Sequence, residues 1–352
     1  MRLATPPGFP TEVFVQEAPS AELLPSGPWV LVGDAAVREQ WREARMPEPP
    51  CAIWEAVDES RKRLETILPW LEDWSRQPLH RDGTVVAVGG GVLTDLAGLG
   101  AALYMRGIAW QAWPTTLLSM ADAGLGGKTG ADLPTGKNLV GAFHPPKRLV
   151  ACTAFLQSLP ERQVESGRYE LLKVAMLLGD LAWMEELLGP DPVRVAWIEQ
   201  ALACKADIVH LDPSEQNERR VLNLGHTLGH AVESASGYGL LHGEAVGIGL
   251  LASCLLAESQ GLQPFLPELL DKLAARLAPL SPQLPPWESL LPWLLRDKKG
   301  AGLQAAAESG LQIHCILPSP GEPARQHLLP PEAWAEPYAR ARHLMQGGPT
   351  RA

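Results

Sequence analysis

The chain has 352 residues, 46% of them hydrophobic and 20% charged, as in a globular protein with room for two domains of ordinary size. A formal net charge of -10 and a pI near 5.4 repel nucleic acid and anionic membrane surfaces, so any anionic ligand must be held by a local cluster of cations. The opening MRLATPPGFPTEVF has no apolar signal core and no stretch offers ~20 uninterrupted apolar residues, so a cytoplasmic protein without a membrane span is expected.

In chain order, four β-rich runs alternate with helical patterns: WVLVGD (29–34), CAIWEA (51–56), TVVAVGG (84–90) and GIAWQAW (107–113). That alternation predicts a parallel sheet covered by helices. From about residue 158 the pattern turns almost wholly helical, with Leu and Ala at helical spacing and prolines as punctuation. The expected organisation is an α/β domain over residues 1–158 and an all-α domain over 159–352. The tail beyond about 319 is rich in Pro and Arg, and its final GGPTRA is expected to fray. Five cysteines, at 51, 152, 204, 254 and 315, are odd in number and scattered without a C-x-x-C, and read as reduced core residues.

Chemical signals begin with VVAVGGGVLTDLAGLGAALYMRG (85–107), where a strand runs into three glycines and a helix. Bare N–H groups and a helix N-terminus there suit a diphosphate, although the motif is not G-x-G-x-x-G and such a turn is more often a tight connection than a nucleotide site. The following PTTLLSMADAGLGGKTGADLPTGKNLVGAFHPP (114–146) sets Asp122, Lys128, Lys137 and Asn138 in a glycine-rich loop. Its many apolar residues favour a packed loop over a solvated one. Glu170 and Lys173, three apart, share a helical face, which could be no more than a surface ion pair. NERRVLNLGHTLGHAVE (217–233) reads as one helix with Arg219, Asn223, His226 and His230 in a narrow stripe flanked by leucines. At about 1.5 Å rise per residue, Arg219 and His226 stand about 10 Å apart along one helix axis. His242 precedes a run too apolar to be exposed. Glu170, His226 and His242 together supply the donor set of a catalytic zinc, whereas spacing alone favours His226 with His230 at i and i+4. Glu215, three residues after Asp212, reads as part of a capping-box-like helix start.

The series GGGVLTD, YMRG, PTTLL, GGK, GKNLVGAF, SG..E..K, LN.GHT.GHA.E and HGEAV resembles the 3-dehydroquinate synthase family of sugar phosphate cyclases, over residues 29 to 318. The resemblance implies a Rossmann-like nucleotide-binding domain followed by a helical metal- and substrate-binding domain. It also implies transient oxidation by NAD, loss of phosphate, re-reduction and an intramolecular aldol closure on a small anionic sugar-acid phosphate. By motif position, Glu170, His226 and His242 would hold a divalent metal, zinc or cobalt. NAD would meet Asp34, Glu59, Lys62, Gly90, Gly91, Val92, Asp95, Thr115, Thr116 and Lys137, with Phe155, Leu156, Gln157 and Ser158 closing over it. Substrate would meet Arg106, Asn138, Lys205, Arg219, Asn223 and Lys299, the last chosen over Lys298. Asp122, Lys128, Lys173, Glu215 and His230 would be catalytic, with Glu215 a proton acceptor. Arg106 would reach the neighbouring subunit's substrate in a homodimer.

Three positions depart from the family pattern: Gly124 stands where a serine is usual, Tyr169 where an alanine is, and Asp58 replaces a glycine before Glu59. Local repacking is expected at each. Rival functions are a cyclase for another sugar phosphate, a metal-dependent polyol dehydrogenase, and a pseudoenzyme that only binds NAD or metal.

Overall fold

The computed structural model describes residues 2–237, 239–296 and 312–349, which form two compact units. One comprises Met1–Gly167 and Val193–Asn217, the other Arg168–Pro192 and Glu218–Ala352.

The first unit contains β1 (Glu12–Gln16), β2 (Trp29–Asp34), α1 (Arg38–Glu43), β3 (Ala52–Glu55), α2 (Leu64–Ser75), β4 (Thr84–Gly89), α3 (Gly91–Leu103) and β5 (Ala109–Pro114). The hairpin β6 (Lys128–Leu133) and β7 (Gly136–Phe143) and then β8 (Arg148–Cys152) follow. Six strands form one parallel sheet in the order β1-β8-β5-β4-β2-β3. The interior strands β2, β4, β5 and β8 are near-continuous buried runs, as a sheet covered on both faces requires. β1, at an edge, buries only Val13 and Val15 in alternation. All four strands expected from the sequence are present. β1, β8 and the β6–β7 hairpin are additions, the last within the stretch expected to be a packed loop.

Chain direction reverses between β2 and β4. From β2 the chain moves outward to β3, returns past β2 to β4, and then continues the other way to β5. At such a switch point the carboxyl ends of the strands leave a crevice where open α/β sheets bind ligands. The core beneath is unusually rich in tryptophan: Trp41, Trp70, Trp74 and Trp113 are all essentially inaccessible, and Trp41 meets Trp113 edge-on at 5.5 Å. α4 (Glu161–Leu178) contains the division between the units. After α5 (Leu181–Leu188) in the second unit, the chain supplies α6 (Val195–Leu211) to the first, where it packs on the turn Ser119–Ala123.

The second unit continues with α7 (His226–Ala235), α8 (His242–Ser259), α9 (Pro267–Leu277), α10 (Trp287–Arg296), β9 (Ile313–Ser319), β10 (Glu322–Leu329) and α11 (Ala335–Met345). α8 is its centre, buried without interruption from Gly243 to Ala257 and packed against α7, α9, α11 and β9. The expectation of an all-α unit is corrected here by the antiparallel β9–β10 hairpin. In IHCILPS the residues Ile313, Cys315, Ile316 and Leu317 are buried, so an apolar run of strand length pairs with its neighbour rather than continuing as helix. The tail is likewise anchored: Trp334, Tyr338, Ala341 and Leu344 are buried, and the Tyr338 hydroxyl donates to the Pro285 carbonyl at 2.7 Å.

The single helix expected over residues 217–233 is also corrected. A 3-10 turn spans Glu218–Asn223, Gly225 sits in the left-handed region at φ 76, and α7 begins afresh at His226. Helical register does not pass through a left-handed residue, so the 10 Å spacing drawn along one axis does not describe this segment. A Cβ on Gly225 would also lie 2.9 Å from Leu250 and 3.0 Å from the Val246 carbonyl, so close approach to α8 reinforces the need for glycine.

Candidate active site

In the second unit, α4, α7 and α8 each contribute one donor to a cluster. One ligand atom each from Glu170, His226 and His242 lies within 4.8 Å of the others. The Nε2 atoms of His226 and His242 stand 3.6 and 3.4 Å from Glu170 Oε1. Glu170 and His226 are buried, while the His242 side chain is 34% exposed, which leaves an approach from one side. Both rings are held from behind: His226 Nδ1 meets the Leu224 carbonyl at 3.1 Å and His242 Nδ1 meets Glu233 Oε2 at 3.2 Å. This leaves each Nε2 facing the carboxylate. The arrangement fits a divalent metal on three protein donors with further positions open.

The electrostatics agree. Burial dominates at His226, outweighs attraction to Glu170 and lowers its pKa to about 3, so the ring is a neutral donor. At His242 burial pulls the same way, but hydrogen bonds and charge from Glu170 and Glu233 prevail and raise its pKa to about 10. That position is built to favour positive charge. Lys173 Nζ lies 2.6 Å from Glu170 Oε2 with both side chains 1% exposed, so this pair is an internal one and not the surface ion pair that spacing alone allowed. His230 lies beside the cluster, its ring centroid 5.2 Å from that of His226 and 5.8 Å from that of His242. Arg219 is buried and Asn223 partly so in the preceding turn.

In the first unit, nearly all residues expected to meet NAD lie just beyond carboxyl ends of the sheet. Asp34 ends β2, Glu59 and Lys62 follow β3, Gly90 to Asp95 follow β4, Thr115 and Thr116 follow β5, and Phe155 to Ser158 follow β8. α3 starts at Gly91 with Gly90 as its cap and no side chain capping it, so its first N–H groups are bare toward the switch point. A Cβ on Gly90 would come within 3.1 Å of Thr116. Asp34 accepts from the Ala36 N–H at 2.9 Å. Lys62, buried, meets Asp95 at 2.7 Å; burial raises the Asp95 pKa against the pull of that ammonium. Lys137, alone of the set on the hairpin, reaches Glu59 at 3.0 Å.

The same unit gathers most of the expected substrate and acid–base residues. Lys205 on α6 donates to both the carbonyl and the carboxylate of Asp122, which sits in a one-turn π-helix, a form common at functional sites. Lys128 at the start of β6 meets Glu215. Glu215 does not complete the expected capping box: Asp212 alone takes the Gln216 and Asn217 N–H groups, at 2.9 and 2.7 Å. Glu215 instead adopts φ 57, a left-handed conformation costly for a non-glycine residue, and directs its carboxylate to Lys128. Asn138 is also left-handed, at φ 54, with its N–H on Asp132 at 2.6 Å. Arg106 is exposed beside a depression of about 600 Å³ that Arg81 and Lys147 also line. Lys299 and Lys298 lie outside the described residues.

Two of the three departures have steric counterparts and the third a hydrogen-bonded one. A Cβ at Gly124 would fall 2.9 Å from both Leu149 and the Ser119 carbonyl. Tyr169 is buried against Gly247, where a Cβ would lie 2.8 Å from its ring. Asp58 caps its turn through the Ser60 N–H at 2.9 Å. The residue that motif reading passed over is Glu233, present in GHA.E but given no role; its position seven residues after His226 was the available signal.

The family model described as 3-dehydroquinate synthase N-terminal matches residues 53–166, and that described as 3-dehydroquinate synthase C-terminal matches 167–300. The chain belongs to the 3-dehydroquinate synthase family. The 3-dehydroquinate synthase of Symbiobacterium thermophilum is 40% identical over 278 residues, covering 75% of each chain. The fold recurs in a 2-epi-5-epi-valiolone synthase from Streptomyces hygroscopicus solved with NAD+ and Zn2+. That structure has a TM-score of 0.78 and 27% identity over 97% of this chain and 99% of the other. A 2-deoxy-scyllo-inosose synthase matches with a TM-score of 0.78 over 99% of both chains at 22% identity, a likeness of fold. Membership of the synthase family makes the chain an enzyme of the lyase type, and its α/β fold with a helix-rich remainder is that of the sugar phosphate cyclases.

Proposed function

We propose that the chain converts 3-deoxy-D-arabino-heptulosonate 7-phosphate to 3-dehydroquinate and phosphate, with NAD and a divalent metal as cofactors. The observation that carries this is the Glu170, His226 and His242 cluster with both imidazoles held from behind, found in a chain of this family. When bound, NAD supplies reversible hydride acceptance, and the metal supplies Lewis acidity at the hydroxyl being oxidised. The crevice-facing residues from Asp34 to Ser158 are the proposed NAD site, supported by their place beyond the strand ends and by the NAD+ in the Streptomyces hygroscopicus relative. On this reading residues 1–158 form the nucleotide-binding domain, and 159–352 the metal- and substrate-binding one.

The chain's own groups then divide the work. The first unit supplies Arg106, Lys128 and Asn138 for phosphate, Lys205 for the carboxylate, and Asp122 and Glu215 as carboxylates that move or hold protons. Lys128 lies against Glu215 and can balance its charge. The second unit supplies Arg219, Asn223 and Lys173 for the polyol acid and His230 beside the leaving phosphate. Oriented cations of this kind stabilise charge as it develops on the departing group. We place the enzyme in the cytoplasm, which its five cysteines, all outside any disulfide, support. We further propose a homodimer in which Arg106 serves the neighbouring subunit, supported by its exposure and by its strained backbone at φ 68.

The test is an assay of the purified chain with the keto-sugar-acid phosphate. Phosphate release should require both NAD and divalent metal and leave no stoichiometric NADH. Steady NADH production from a simple polyol, without phosphate release, would replace this reading with a dehydrogenase.

A further inference from the structure

We infer that Glu233 is a positioning residue for the metal centre: by accepting from Nδ1 of His242 it fixes that ring and sets the affinity for the metal. The inference rests on the metal reading above. The two histidines are anchored unequally. His226 has a neutral backbone carbonyl behind it, from Leu224, whereas His242 has the carboxylate of Glu233 at 3.2 Å. A carboxylate behind an imidazole fixes the tautomer that leaves Nε2 as the donor and makes that nitrogen more basic.

Glu233 is placed for this by α7. Seven residues after His226 it returns to nearly the same face, two turns on, and its side chain is 11% exposed. A carboxylate in such surroundings needs a specific partner. His242 is the first residue of α8 and, at 34% side-chain exposure, the less enclosed of the two rings. His226 is confined by burial as well as by its hydrogen bond, while the His242 ring relies more heavily on Glu233. A purely structural role is the rival account, since a carboxylate near the first turn of α8 also favours that helix.

The full-length protein, stripped of metal and titrated with Zn2+ against a competing chromophoric chelator, distinguishes these accounts. Glu233→Ala should weaken Zn2+ binding by about 10- to 100-fold, the loss typical when an outer hydrogen-bond partner of a ligand is removed. Glu233→Gln, whose carboxamide oxygen still accepts from Nδ1–H, should recover a large part of that affinity. The visible spectrum of the Co2+-loaded protein should change in Glu233→Ala and return toward wild type in Glu233→Gln. Wild-type affinity in Glu233→Ala overturns the inference, as does equal loss in both variants. So does a Co2+ spectrum unmoved in Glu233→Ala while the metal-free protein melts lower. His242→Ala is the control. If it keeps wild-type affinity the metal reading itself fails; if it loses the metal while Glu233→Ala keeps it, only the positioning role falls.

Discussion

A metal centre built on three protein donors has no spare ligand, so single side chains carry separable consequences. His242→Ala should lose most bound metal, because only Glu170 and His226 would remain of the cluster. His230→Ala should keep its metal and lose rate, by about 10²- to 10⁴-fold if the imidazole transfers a proton or steadies the leaving phosphate. Metal content by elemental analysis on both purified variants, with melts to confirm folding, decides this. Loss from His230→Ala and retention by His242→Ala would restore the i, i+4 pairing and remove the present assignment. At this scale the sequence was informative where polar residues interrupt apolar runs, as His226 and His230 do in LNLGHTLGHAV and His242 does before EAVGIGLLASCLL. It was silent where geometry decides. Spacing favoured His226 with His230, and only the packing of α4, α7 and α8 brings Glu170, His226 and His242 together. Glu233 carried only one signal, its place seven residues after His226, because a glutamate on a helix is ordinary until its burial is known.

Between elements, the approach of α7 to α8 is what brings His226 and His242 together, their ring centroids 5.1 Å apart, and glycine makes it possible. A Cβ on Gly249 would stand 1.9 Å from the Gly225 carbonyl, and one on Gly229 would stand 3.0 Å from the Ala245 carbonyl. Backbone cannot yield as a side-chain tip can. Gly249→Ala should therefore force the helices apart and cost at least the ~1–3 kcal/mol typical of overpacking, with weaker metal binding. Gly261→Ala is the contrast: φ is +77 there and nothing lies within 4 Å, so only left-handed strain of about 1–2 kcal/mol applies and metal affinity should stay unchanged. Chemical denaturation of the two variants, paired with a metal titration, measures both effects. Metal binding preserved in Gly249→Ala would show that this helix contact does not position the histidines. The same glycines explain what was misread. NERRVLNLGHTLGHAVE keeps helical spacing on paper, but the φ of Gly225 breaks the helix before His226. Interior strands such as TVVAVG were plain from their unbroken apolar runs, whereas edge strand EVFVQ buries only alternate residues and was lost among prolines.

For the whole molecule, the open question is whether one chain is enough. Arg106 follows α3 in a turn where both Met105 and Arg106 are left-handed, at φ 50 and 68, and both side chains are exposed. Two consecutive strained non-glycine residues are costly, which makes sense if the arginine must be held outward for a task. With Arg81 and Lys147 lining the same depression, it forms a basic patch on a chain whose net charge is -10. If Arg106 completes the phosphate contacts of a neighbouring subunit, Arg106→Ala and Lys173→Ala should each be nearly inactive alone. Lys173 belongs to the cluster of its own chain, 2.6 Å from Glu170, so the two lesions fall on different sites of a mixed dimer. Such a dimer has one site carrying both lesions and one carrying neither. Random exchange of equal amounts puts half of all dimers in the mixed form, and activity should rise toward about a quarter of wild type, one intact site in every four, far above either parent. Exchange is followed independently with differently tagged subunits. Full exchange without recovery would mean that Arg106 acts within its own chain, and a chain that sediments as a monomer while turning over substrate would remove the shared site altogether.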